Sequence, residues 1–181
     1  DAGVRATLAQ DALQARNTIL NLGNSRFRDR YVFSGFRTDQ PAFNPATFGY
    51  QGDAGIINAP IDRTATIPVN VPGSSAFAYT LSAPLVTTIS GGRFAHYTPG
   101  AGTTVQVEIR DTDDTTVLDT FSFSNVIEAV DILSTALAAD DVTRSEALVG
   151  VLGSFQAQAV NAQAEVGVRL AQLGNQKNRL S

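Results

Sequence analysis

The 181-residue chain has no cysteine, no tryptophan and no methionine, and a single histidine. Without cysteine there are no disulfides, thiolate metal sites or cysteine nucleophiles. One imidazole without a thiolate falls short of the donor sets that hold zinc. That histidine, His96, lies between Phe94-Ala95 and Tyr97-Thr98, the context of a packed or surface residue on a strand edge or loop. No serine carries the glycine pattern of a nucleophile elbow. Basic residues are few and scattered, and the net charge is -4, which argues against a nucleic-acid backbone as partner. No apolar run is long enough to span a bilayer, so membrane insertion is not expected, and no secretory signal opens the chain. Lacking an initiator methionine, the chain reads as a processed or trimmed fragment.

The loops that could imitate ligand sites fail on inspection. Asp111–Asp114 opens like a calcium loop, but Thr116 stands where the loop needs glycine and Ser122 where it needs glutamate. Gly91-Gly92 and Gly100-x-Gly102 lack both the lysine and the strand–loop–helix setting of a phosphate loop. The sequence therefore leads us to expect neither a cofactor nor a metal, and no enzymatic activity.

What is present is helical pattern at both ends and β pattern between them. Hydrophobic residues make up 43% of the chain, enough for a core. Val4, Leu8, Ala12, Ala15, Ile19 and Leu22 recur at spacings of three and four, the seam of a heptad, and predict one helix over residues 1 to about 30. Leu148, Leu152, Phe155, Ala159, Ala162 and Val166 repeat that spacing, with Leu173 and Leu180 beyond and Arg169 and Gln176 interrupting. Gly153, Gly167 and Gly174 recur at multiples of seven on a neighbouring face. They are either tolerated helix glycines or a groove for another helix backbone.

Pro41 and Pro45 end the first helical region. Val105, Val107 and Ile109, then the turn Asp111–Asp114, then Val117, Phe121 and Phe123 make the clearest hairpin, with Asp119 the exception on its apolar face. Asn125 with Glu128 predicts a capped short helix to about Ala139, and Thr143 with Glu146 a second capping box that opens the last helix. The expected fold class is α+β: an antiparallel long-helix rod from both chain ends (residues 1–43 and 124–181), carrying an inserted antiparallel β-sandwich or open barrel (44–123). Pairing is expected because isolated helices bury too little to be stable.

Between rod and insert stands Arg26–Phe43. Tyr31-Val32-Phe33-Ser34-Gly35 followed by Thr38-Asp39-Gln40-Pro41-Ala42-Phe43 resembles the signature of the flagellar hook-associated protein 3 family. Ala162–Leu170, with Glu165-Val166-Gly167-Val168-Arg169, resembles that family's C-terminal helix motif. Tyr50–Asp53 and Val69–Gly73 with Phe77 look like its first β segment, and residues 79–123 match none of its motifs.

The resemblance implies a flagellin-like, non-enzymatic, extracellular structural subunit, exported through the flagellar type III route without a cleaved signal peptide. An export chaperone is a further expected partner. It implies self-association in a ring between hook and filament, against the neighbouring hook-associated junction protein and flagellin, with further terminal helical segments that order on assembly. Two other readings remain: flagellin itself, which shares the helix–insert–helix plan, and a secreted carbohydrate-binding or adhesive β module on a helical stalk. The expected packing and interface residues are Leu8, Ile19 and Leu22 against Phe155, Val166 and Leu173, with Tyr31, Phe33 and Gly35 at the joint and Gly167 and Arg169 on the last helix. Arg5, Arg16, Arg26 and Arg169 are the candidates for contacts between subunits.

Overall fold

A computed structural model describes residues 2–60 and 66–180, apart from the side chains of residues 2, 158–159, 161–166, 169–170 and 172–180. Helix α1 (Ala2–Gly23) comes first. It stops seven residues short of the expected end. Gly23 is a poor helix former, and Asn24 closes the last turn by donating its N–H to Leu20 O at 2.9 Å. The chain then turns back as a two-stranded ribbon, β1 (Arg26–Phe27) and β2 (Arg30–Tyr31). Arg28 and Asp29 form its turn, both with positive φ (47° and 63°), as a tight two-residue hairpin turn requires.

An irregular segment leads to the pair β3 (Asn58–Pro60) and β4 (Thr66–Pro68) and the one-turn helix α2 (Gly73–Ala76). Strands β5 (Leu85–Ile89), β6 (Arg93–Pro99), β7 (Val105–Arg110) and β8 (Val117–Phe123) then form an antiparallel meander in chain order. Alternation sorts their side chains: Ala95, Tyr97, Val105, Val107 and Phe123 share one buried face. What covers that face is not a second sheet. Helix α3 (Val126–Ala138) and the start of helix α4 (Val142–Leu180) supply Ala129, Leu133, Leu148, Val151 and Phe155 to the same core. Among the described residues β5–β8 are thus one four-stranded sheet backed by helices, with β3–β4 a separate pair, where a sandwich or open barrel was expected.

Asp119 explains itself in this arrangement. Arg144 of α4 donates to both its carboxylate oxygens, at 2.7 and 2.8 Å, and stacks over Phe121. Such bidentate pairing is among the stronger ionic contacts. Tyr97 Oη, deep in the core, donates to Ala147 O at 2.8 Å.

The caps follow the expected logic at one helix and differ at the other. Asn125 Oδ1 accepts from the N–H groups of Ile127 and Glu128, and Glu128 accepts in return from Ser124 N–H at 2.6 Å. At α4 the capping side chain is Asp141, which accepts from Arg144 N–H at 3.0 Å. Thr143 lies inside the helix, and Glu146 reaches across to Ser90, whose N–H and hydroxyl both donate to it at 2.6 Å.

Helix α1 lies along α3. Arg5 pairs with Asp140 and Arg16 with Asp131, so rising numbers on one helix meet falling numbers on the other and the two run antiparallel. The antiparallel neighbour expected for α1 in the last helix is thus found in α3.

Candidate functional site: the joint and the outer helix faces

The segment after α1 is held by hydrogen bonds that close a compact joint. Phe43 and Tyr50 form an isolated antiparallel bridge. Its backbone bonds are made by the flanking residues, Gln51 N–H to Ala42 O at 2.7 Å and Asn44 N–H to Gly49 O at 3.0 Å. In such a non-hydrogen-bonded pair the central residue's own N–H and C=O point away from the partner strand. Asn24 takes both. Its Oδ1 accepts from Phe43 N–H at 2.8 Å and its Nδ2 donates to Phe43 O at 2.9 Å. The residue that ends α1 therefore stands in for a neighbouring strand.

The Phe43 ring, fully buried, packs at 5.1 Å from Phe77 and 5.3 Å from Tyr50, and Phe33 meets Phe77 edge-on at 5.1 Å. Ile19, Leu20 and Ile127 complete this cluster from α1 and α3. Gly23 is part of the fit, because a Cβ there would stand 2.8 Å from the Phe43 ring. Tyr50 Oη donates within reach of two carbonyls, Phe33 O at 2.9 Å and Asp53 O at 2.8 Å. Burial raises the Tyr50 pKa, so the phenol stays a donor.

Gly35 has φ of 68° and is buried against Asp53, whose carboxylate and carbonyl would lie 2.2 and 2.3 Å from an added Cβ. Asp53 Oδ1 accepts from Phe36 N–H and Gly55 N–H, both at 2.8 Å. These two N–H groups, and then Arg37 nearby, hold its carboxyl below the usual range. The joint is thus fixed by polar residues as well as rings: Asn24, Asp53, Ser34, whose hydroxyl donates to Gln40 O at 2.8 Å, and Asn70, which accepts from Ile57 N–H at 2.7 Å and donates to Gly55 O at 2.9 Å. Ser34, Asp53 and Asn70 stand in the segments that carry the family resemblance, whereas Asn24 lies outside them, and its one signal was an asparagine directly after a helix-ending glycine.

The helix faces divide the expected residues between two settings. Ile19 is half-buried in the joint, whereas Leu8 and Leu22 are 47% and 58% exposed on the face that also carries Val4. Phe155 is buried against Tyr79 and Phe123 of the sheet core, a different cluster from that of Ile19. On α4, Val149, Val160 and Val168 are exposed and fall within an arc of about 100° at 3.6 residues per turn. Gly167 is exposed, with open space where a Cβ would stand, and Gly153 is likewise open. The side chains of Val166, Arg169 and Leu173 lie outside the described residues.

Of the arginines, Arg5 is paired with Asp140 in the turn after α3 and Arg16 with Asp131 of α3, and Arg16 also stacks on Phe48 at 4.9 Å. Arg26 covers the half-buried Tyr31 ring at 5.1 Å.

For chemistry the arrangement offers little. His96 Nε2 lies 2.5 Å from Asp114 Oδ1 at the β7–β8 turn. Among the described residues no group of three or more His, Asp or Glu side chains could hold a metal. Asp113 accepts from Thr115 and Thr116 N–H and the Thr116 hydroxyl, and its carboxyl is held well below its usual pKa by those bonds. That is a closed turn, with its oxygens already engaged.

The fold and these faces define a class: an α+β chain with long helices at both ends and antiparallel strands between, whose polar network serves the joint and whose long helices expose several valines and leucines. Comparison with known proteins gives the particular likeness. No family model matches the chain. Flagellar hook-associated protein 3 of Salmonella typhimurium is 34% identical over 74 residues, which span 40% of this chain and 23% of that protein. The matched part is therefore under a quarter of that relative's length. Crystal structures of FlgL from Xanthomonas campestris (17% identity, TM-score 0.67, 99% of this chain and 79% of that one) and of the flagellar junction protein FlgL from Legionella pneumophila (15%, 0.62, 97% and 81%) share the fold. Sequence and fold point to the same family resemblance that the Tyr31–Phe43 signature carries.

Proposed function

We propose that this chain is a structural subunit of the bacterial flagellum, placed in the junction between hook and filament and lying outside the cell. It self-associates in a ring and contacts the neighbouring hook-associated junction protein on one side and flagellin on the other. It travels by the flagellar export route with no cleaved signal peptide and with the help of an export chaperone. It carries out no catalysis. Residues 1–43 and 124–181 are the helical rod domain and 44–123 the insert. Helices α1 and α4 contribute the rod faces whose apolar stripes fill on assembly.

The observation that carries this reading is the likeness in fold to flagellar junction proteins over 97–99% of the chain. The outward stripes Val4, Leu8 and Leu22 on α1 and Val160 and Val168 on α4 support it, because contiguous exposed apolar faces mark interaction sites.

The test is a strain lacking the gene. Loss of swimming, with flagellin monomers shed into the medium and recovery on complementation, is the expected result. Normal swimming, or filaments that stay attached, would refute the reading.

A further inference from the structure

The β1–β2 hairpin is an unusual surface for an acidic chain. Arg26, Arg28 and Arg30 alternate along it, and Phe27 between them is 67% exposed. Arg28 stacks on the Phe27 ring at 5.4 Å, which presents ring and charge together. The turn at Arg28-Asp29 is tight, so this knob is shaped before any partner arrives.

The counterpart lies at the corner where α3 gives way to α4. A hollow of about 320 Å³ opens there, with an apolar floor of Leu137, Val142 and Val149. Three carboxylates rim it: Asp140, paired with Arg5; Asp141, which caps α4 and lies 3.7 Å from Arg144; and Glu146, held by neutral Ser90. With Arg144 already bound to Asp119, the rim keeps an excess of negative charge, opposite in sign to an aromatic knob flanked by arginines. One chain cannot make this contact with itself. The socket sits beside Arg5 and the knob follows Gly23, so about 27 Å of helix α1 separates them at 1.5 Å per residue.

We propose that Phe27 of one copy seats in the α3–α4 hollow of a second copy, with Arg26 and Arg28 against its acidic rim. The contact is heterologous: each copy keeps a free knob and a free socket, so the series closes as a ring or continues as a helical array. It is a property of this surface and does not rest on the flagellar reading, which the swimming assay tests separately.

Engineered thiols test it cleanly, since the chain has none of its own. Asp29→Cys, near Phe27 at the hairpin turn, and Gly150→Cys, beside Val149, are both at exposed positions and leave the Phe27 ring and the apolar floor intact, and circular dichroism checks that each variant folds. Under mild oxidation the mixture of the two should form disulfide-linked dimers on the order of tenfold faster than either alone, the ratio expected for about 1.4 kcal/mol of complementarity. Adding Phe27→Ala or Arg28→Glu to the Asp29→Cys chain, or raising the salt concentration, should remove that advantage. A mixture no faster than its components overturns the proposal. So does faster linkage in Asp29→Cys alone, which would mean hairpin against hairpin, or in Gly150→Cys alone, which would mean helix against helix. As a second readout, Phe27→Trp gives a lone tryptophan whose emission should shift to the blue as protein concentration rises, and emission independent of concentration counts against the contact.

Discussion

Asn24→Ala isolates the contact that joins α1 to the rest of the molecule. The substitution removes the acceptor for Phe43 N–H and the donor to Phe43 O at once. Phe43 is fully buried, and its bridge to Tyr50 faces its amide away from that strand, so no backbone group on that side replaces Asn24. A buried amide left without a partner costs about 1–3 kcal/mol, and the carbonyl adds a smaller amount. We expect a loss of about 3 kcal/mol, which for a domain of this size lowers Tm by roughly 6–12 °C. Urea unfolding gives the free energy, and amide exchange at Phe43 gives the location. Protection of that amide should fall more than protection in the β6–β7 ladder. Asn21→Ala, one turn earlier on the exposed side of α1, is the matched control and should change stability by less than about 0.5 kcal/mol. If Asn24→Ala behaves like that control, the account of the joint is wrong.

Gly35→Ala puts a side chain at a φ of 68° and against Asp53, so a loss above about 2 kcal/mol is expected by thermal unfolding. Phe33→Ala removes a half-buried ring that meets Phe77 edge-on and should cost roughly 2–3 kcal/mol, below the ~3–5 of a fully buried phenylalanine. Asp53 has a folded pKa depressed by two N–H donors, so its stabilisation is complete above the unfolded value of about 3.9 and disappears as pH falls through the folded value. Asp53→Asn should therefore flatten the acid limb of the stability–pH curve. Glu128 is shifted the other way by burial: the folded state binds its proton more tightly, so its charge opposes folding as pH rises through the folded pKa. Glu128→Gln, which keeps an acceptor for Ser124 N–H, should leave stability at pH 7 unchanged or slightly higher, whereas Glu128→Ala should lower it.

Much of this was legible where pattern is local. The spacing of three and four along α1 and α4 identified both helices, strict alternation at Val105–Ile109 identified β7, and Asn125 with Glu128 announced α3. The misreadings arise where the decision is tertiary. Residues 24–30 carry no helix breaker stronger than Gly23, and the helix ends there because Asn24 is worth more against the Phe43 backbone than in another turn. Thr143 and Asp141 are both good caps, and only the closeness of Ser90 to Glu146 settles which is used. A heptad stripe states that a helix has a partner face without saying which helix meets it. Ile127, which packs with Ile19 and Leu20, and Asp131, which pairs with Arg16, offered α1 as good a surface as the last helix did. The apolar face of the meander likewise asked for cover, and alternation alone cannot distinguish a sheet from a pair of helices as the cover.

Length explains why outward stripes remain on both long helices. Helix α3 has 13 residues, about 20 Å at 1.5 Å per residue, whereas α1 has 22 and α4 has 39, about 33 and 58 Å. A short helix can serve as neighbour to one turn-matched stretch of each, and it does so with Arg5, Arg16 and Ile19 on one side and Leu148 and Val151 on the other. Beyond that stretch α4 continues for most of its length, and Val160 and Val168 stand exposed. A single helix of ordinary composition gains little stability from its own hydrogen bonds in water. The apolar positions on this one are of use when something packs against them, and in the proposed assembly a helix of a neighbouring subunit would fill a stripe of this width.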